Sequence, residues 1–196
     1  MSRYCLIIDL DRCFGCHSCE VACKNANDVR LGCDWNKVLE MGPFGDYPNL
    51  SGYFLPKQCQ QCENAPCIEV CPTGASQRDP ETGAVIIDSE VCIGCQLCMT
   101  ACPYGARTSN EVAGVVEKCT LCRDLTAAGE QPACVAACCG KARYYGDLDD
   151  PSSDAAMALA AAAPEALHKL PDTGNAPLTT YIMTDKYAAW VEDPLA

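Results

Sequence analysis

A chain of 196 residues is long enough for one domain or two small ones, but 7% aromatic residues are thin for a hydrophobic core of that size. Nineteen cysteines, close to a tenth of the sequence, restrict the class to a disulfide scaffold, a zinc protein or a metal-cluster protein. The formal charge of −12 argues against nucleic acid or an anionic membrane surface as partner, since both would repel the chain, and leaves a protein or a cofactor.

In chain order, the apolar run Cys5–Ile8 is too short for the apolar core of a signal peptide, so no export signal of its own is expected. That expectation and the odd number of cysteines disfavour a secreted disulfide framework. Ile7-Ile8 predicts a strand that ends at Asp9 and runs into the first cysteine group, Cys13-x-x-Cys16-x-x-Cys19-x-x-x-Cys23. Residues 24–58, with Trp35, Phe44, Tyr47, Tyr53 and Phe54 among glycines and prolines, read as an inserted strand pair whose aromatics pack over a metal site. The second group, Cys59-x-x-Cys62 followed by Cys67-x-x-x-Cys71-Pro72, has a wider middle gap of four residues.

The turn Asp79-Pro80-Glu81-Thr82-Gly83 predicts a hairpin, with Val85-Ile86-Ile87 as its second strand. The third group is Cys92-x-x-Cys95-x-x-Cys98-x-x-x-Cys102-Pro103, and the fourth is Cys119-x-x-Cys122, eleven residues, then Cys134-x-x-x-Cys138. Met99–Ala101 and Val135–Ala137 suit single helical turns under a cluster. Beyond Asp147 an alanine-rich helix is expected with Ser152 or Ser153 as its cap, then a tail strand Leu178–Met183, then a docking extension or a loose end. The apolar stretch Ala155–Ala163 falls far short of the ~20 residues a membrane span needs, so no direct membrane insertion is expected.

Groups one and three have the spacing of bacterial ferredoxins. A 4Fe-4S cube presents one open coordination site at each iron. Closely spaced thiolates wrap three corners with one loop, and the fourth corner needs a distant residue. In two-cluster ferredoxins the fourth cysteine of a run ligates the other cluster, so neither site folds alone. Gly15 and Gly94, each just before the second cysteine of its run, allow positive φ and close approach of backbone N–H groups to sulfur. Zinc remains an alternative for groups two and four taken alone, but the spacing of groups one and three points to clusters.

Residues 7–23 and 86–102 align at a constant offset of 79, sharing Ile-Ile-Asp and Cys-x-Gly-Cys-x-x-Cys-x-x-Ala-Cys. The expected fold is therefore α+β: two interlaced bacterial-ferredoxin-like units, with short strands and helices around four iron–sulfur clusters. The outer unit comprises 1–58 and 103–150, with inserted segment 24–58. The inner unit is 59–102, and 151–196 forms a C-terminal helix, strand and tail. Cys5, Cys33 and Cys139 fall outside the groups and are expected to act as small buried hydrophobes. His17 is expected at the surface, and His168 has no constellation in the sequence around it.

As a set, Arg3-Tyr4, the four groups, Tyr47-Pro48, Pro66-Cys67, Cys102-Pro103-Tyr104 and Gly146-Asp147-Leu148-x-Asp150-Pro151 with Ser153 resemble the iron–sulfur (beta) subunits of the dimethyl sulfoxide reductase family of molybdopterin oxidoreductases. The likeness is nearest to the short dimethyl sulfoxide/polysulfide reductase type and covers almost the whole chain. It implies a row of four 4Fe-4S clusters. The ligand sets carried over are Cys13, Cys16, Cys19 with Cys138; Cys119, Cys122, Cys134 with Cys23; Cys59, Cys62, Cys67 with Cys102; and Cys92, Cys95, Cys98 with Cys71. Cys139 stands where the family commonly has proline, and spacing favours Cys138 over it as ligand.

The resemblance also implies a large catalytic subunit that carries the molybdopterin, with molybdenum or tungsten, and either a membrane anchor subunit or a soluble electron donor. It implies a cytoplasmic location, or one on the outer face of the cytoplasmic membrane if the chain is exported with its partner. No nucleophile constellation, phosphate loop or dinucleotide fingerprint occurs, so the chain is expected to carry electrons without turning over substrate. Sixteen thiolates and four oxidised cores would take the formal −12 to about −20. A polyferredoxin-type carrier or an adapter for a hydrogenase or formate dehydrogenase is the alternative function; the extended C-terminal segment argues against it.

Overall fold

The computed structural model describes residues 2–195. Met1 and Ala196, the nominal ends of the expected outer unit and tail, lie outside them. The elements are β1 (Tyr4–Asp9), α1 (Ser18–Ala26), β2 (Asn36–Phe44), β3 (Ser51–Gln58), α2 (Pro66–Glu69), β4 (Ser76–Arg78), β5 (Val85–Ile87), α3 (Leu97–Thr100), β6 (Thr108–Asn110), β7 (Val115–Glu117), α4 (Arg123–Ala127), α5 (Ala133–Ala136), β8 (Arg143–Asp147), α6 (Asp154–Ala161), β9 (Leu167–His168) and β10 (Thr180–Ile182).

One four-stranded sheet, ordered β8-β1-β10-β9, organises the molecule. β1 is its centre because Cys5, Leu6, Ile7 and Ile8 are apolar on both faces of the pleat and all are at most 1% exposed. Cys5 and Ile7 face α6 with Ala155 and Leu178, while Leu6 and Ile8 face the main core, where Cys19, Cys59, Cys119 and Cys134 also lie. β1 pairs antiparallel with β8 (Ile7 opposite Tyr144) and parallel with β10 (Ile7 opposite Thr180). Burying each large aliphatic side chain contributes roughly 1.5–3 kcal/mol.

Three antiparallel hairpins complete the strands: β2–β3, β4–β5 and β6–β7. The short helices hold the cysteines. α1 packs on α5 and α2 packs on α3, so helices from distant parts of the chain meet in pairs.

The tail differs from the docking extension or loose end expected of it. Ala188 is buried, and Trp190, Val191 and Leu195 pack on the main core. The Trp190 ring stacks on His168 with centroids 4.8 Å apart and lies 6.2 Å from Tyr53 and 5.8 Å from Tyr181. His168, which had no constellation in sequence, is thus part of an aromatic clasp that returns the C-terminal segment to the body. Among the aromatics of 24–58, Tyr47 also departs from expectation: it is 89% exposed.

Ser153 is the cap of α6. Its hydroxyl accepts from the Ala156 N–H (3.1 Å) and donates to the Asp147 carbonyl (2.6 Å), tying the helix to β8. Gly146 leaves room for it, since a Cβ there would stand 2.7 Å from Ser153 Cβ. Ser153→Ala is expected to cost about 1 kcal/mol and to lower the melting temperature by roughly 2–4 °C. An anaerobic circular dichroism melt checks this, with iron content unchanged as the control.

Candidate metal centre

Each cysteine group begins as a tight loop with a left-handed residue just before its second cysteine. In groups one and three that residue is glycine: Gly15 (φ 68°) and Gly94 (φ 65°). In groups two and four it is Gln61 (φ 51°) and Leu121 (φ 58°), which adopt the same conformation without glycine's freedom. Space is also denied at the glycines. A Cβ on Gly15 would meet the Phe54 ring at 2.4 Å, and one on Gly94 would meet the Gly114 carbonyl oxygen at 2.4 Å.

The thiols gather in four sets. At site A, Cys13, Cys16, Cys19 and Cys138 line one cavity. At site B, Cys23, Cys119, Cys122 and Cys134 line a second, and at site D, Cys71, Cys92, Cys95 and Cys98 line a third. At site C, burial pushes the Cys62 thiol up to about 12, with Cys59, Cys102 and Cys67 close enough to add to that rise. Cys19 and Cys23 sit one turn apart on α1 and serve different cavities. Thiols of different sets lie within one another's electrostatic reach: Cys19 of A and Cys134 of B, Cys119 of B and Cys59 of C share the main core, and Cys67 of C and Cys98 of D share a second one.

These sets suit a multi-iron core. Thiols spread around the wall of a cavity match a core with several irons, each of which takes its own sulfur. The sulfurs are also met by donors. Asn175 Nδ2 approaches Cys62 Sγ at 3.1 Å, Asn27 Nδ2 approaches Cys122 Sγ at 3.5 Å, and the N–H groups of Ala142 and Ser76 approach Cys138 Sγ (3.2 Å) and Cys71 Sγ (3.4 Å). Such donors stabilise thiolate and tune a bound metal. Burial pushes Cys23 up to about 12 as a free thiol, so loading with iron displaces its proton.

Cations complete the fit. Arg143 and Arg107, 4% and 6% exposed, reach the thiols Cys134 and Cys98, and Nη1 of each is buried without a hydrogen-bond partner. For Arg143, burial disfavours the charge, but Cys134 and Cys19 outweigh it and hold the pKa above the ordinary arginine value. Neutral thiols offer little to a buried guanidinium; an anionic thiolate-bound core offers a counterion.

The residues outside the groups divide. Cys5 and Cys33 are buried as expected of small hydrophobes. Cys139 is not: it is exposed, its Sγ 3.6 Å from Ser18 Oγ, because the α5 turn directs Cys138 into site A and the next side chain outward. His17 is partly exposed and faces Glu20 at 3.2 Å.

Comparison with known proteins agrees with this chemistry. A 4Fe-4S dicluster domain model matches residues 50–148, and a 4Fe-4S binding domain model matches residues 10–26. The chain is 45% identical over 152 residues to the protein called NrfC homolog of Haemophilus influenzae, covering 77% of this chain and 68% of that one. It is 42% identical over 211 residues to a putative dimethyl sulfoxide reductase iron-sulfur subunit of Halobacterium salinarum, covering 93% and 79%. It is 45% identical over 151 residues to the thiosulfate reductase electron transfer subunit PhsB of Salmonella typhi, covering 76% and 78%.

The chain belongs to the iron–sulfur subunits of the dimethyl sulfoxide reductase family. Its chemistry is electron transfer through iron–sulfur groups, as in other subunits of molybdopterin oxidoreductases. Among the described residues no helix is long and apolar enough to cross a membrane.

For this subunit, sequence reasoning passed over Arg107, Arg143, Asn27 and Asn175. A signal existed for the arginines: Ala106-Arg107 and Ala142-Arg143 stand four and five residues after Cys102 and Cys138. Asn175 had none, being 113 residues from its sulfur. Gly94→Ala is expected to empty site D alone, since the added methyl meets backbone that cannot swing aside. Iron analysis of the anaerobically loaded protein should show less iron than wild type, with the other sites still loaded.

Proposed function

We propose that sites A, B, C and D each hold one 4Fe-4S cluster and that the row relays electrons to or from a large molybdopterin catalytic subunit. The proposed ligands are Cys13, Cys16, Cys19 and Cys138 at A; Cys119, Cys122, Cys134 and Cys23 at B; Cys59, Cys62, Cys67 and Cys102 at C; and Cys92, Cys95, Cys98 and Cys71 at D. The supporting observation is the grouping of sixteen thiols into four adjoining sets of four, each mixing three cysteines from one group with one from another.

In this reading the outer unit contributes sites A and B and the inner unit contributes C and D. Bound clusters would supply one-electron redox chemistry. The chain's own part is to hold the sulfurs in a line, keep water from the middle sites and give the outer sites access to partners. Cys119 and Cys134 of B are buried, whereas Cys16 of A and Cys95 of D are exposed, so electrons enter and leave at the two ends of the row. The catalytic subunit meets one end; a membrane anchor subunit or a soluble electron donor meets the other. An acidic holoprotein docks through surfaces of complementary charge.

Anaerobically loaded protein is expected to contain about sixteen irons, and a molybdopterin-containing chain is expected to copurify from its native host. Cys23→Ser tests the lacing. Electron paramagnetic resonance of the reduced variant should show the cluster at site B damaged and that at site A intact. Loss at site A alone would refute the ligand assignment.

A further inference from the structure

Arg143 (4% exposed), Arg107 (6%) and Lys118 (2%) are buried cations, and among the described residues none of them forms an ion pair with a carboxylate. Nη2 of Arg143 donates to Asn36 Oδ1 at 2.7 Å, and Nη2 of Arg107 donates to Ser76 Oγ at 2.8 Å. Both of these partners are neutral, and among the described residues neither Nη1 atom has an N or O partner. Folding does not hide guanidinium charge in this way unless something anionic compensates it.

The positions of the two arginines repeat. Arg143 lines the cavities of both A and B and lies against Cys134 of B and Cys19 of A. Arg107 lines the cavity of D, reaches Cys98 of D and feels the charge of Cys67 and Cys59 of C. Each follows the last cysteine of its group by five residues, so equivalent points of two cysteine groups place a cation where two sites meet. Lys118 donates to the carbonyls of Val85 and Cys119, the latter beside Cys59 at the step from B to C.

We infer that Arg143 and Arg107 are charge bridges, each the fixed countercharge shared by two neighbouring clusters, holding their potentials up and weakening the repulsion between electrons on adjacent sites. This rests on the ligand assignment proposed above. Reduction adds one electron to an already anionic thiolate-bound core. The electron comes from the neighbouring cluster, or from dithionite in a titration; no bond forms or breaks, and the guanidinium keeps its proton throughout. A cation present in both redox states favours the more negative one, so removing it lowers the potential.

The test is a redox titration of iron-loaded full-length protein followed by electron paramagnetic resonance, with iron and sulfide analysis of every sample. Arg143→Gln removes the charge. Asn36→Asp, nearly isosteric, neutralises the guanidinium in place. In both, the one-electron reduction equilibria of the clusters at A and B are expected to fall about tenfold or more, about 59 mV, with C and D unmoved. Arg107→Gln should give the converse pattern, and Arg143→Lys, which keeps the charge, a smaller shift.

Fully loaded Asn36→Asp and Arg143→Gln proteins with wild-type potentials at A and B would overturn the inference. Loss of iron from Asn36→Asp would also overturn it, because the charge would then be required for assembly and not for tuning. A wild-type protein that never loads A and B would remove the ligand assignment, and the inference with it.

Discussion

Cysteines one helical turn apart serve different sites in this structure, and that division sets its connectivity. Cys19 and Cys23 on α1 face the cavities of A and B, and Cys67 and Cys71 around α2 divide between C and D. In the proposed ligand sets every site is accordingly closed by a thiol from a different cysteine group. Helix pairing follows, since α1 must lie against α5 and α2 against α3 for the sulfurs to meet. The sheet follows too: β1 delivers the chain to Cys13 and β8 carries it away from Cys138, and they pair side by side.

That arrangement explains how a chain poor in aromatics holds a defined shape. Its main core mixes Leu6, Ile8, Leu55 and Tyr181 with Cys19, Cys59, Cys119 and Cys134, so part of the interior is lined by thiols where most domains place large hydrophobic side chains. Burial pushes the Cys119 and Cys134 thiols above the ordinary thiol range, so metal binding there displaces protons and couples loading to folding. The β1 sheet and α6 supply apolar packing that does not depend on metal, with Cys5 acting purely as a hydrophobe.

Electrostatics set the second requirement. The chain is acidic before any metal binds, and thiolate clusters add more negative charge. The buried cations are concentrated at the steps between thiol sets, where negative charge would be densest. Donors from Asn27, Asn175 and backbone N–H groups are distributed over the individual sulfurs. One class of contact acts on pairs of sites and the other on single ligands.

Features that depend on neighbours in the chain were legible in the amino-acid order. The cysteine spacing, the Gly15 and Gly94 turns, the Ile7-Ile8 and Val85–Ile87 strands and the Ser153 cap are each set by a few consecutive residues obeying local stereochemistry. The left-handed Gln61 and Leu121 were hidden because cysteine placement imposes that conformation without glycine. Only the tertiary structure placed Arg143 beside Asn36, Asn175 against Cys62, Trp190 on His168 and Cys139 at the surface. Most of these contacts join residues far apart in the chain, whose meeting depends on how the strands and helices pack. Local sequence decides which residues bind sulfur chemistry, while packing decides which charges and amides surround it.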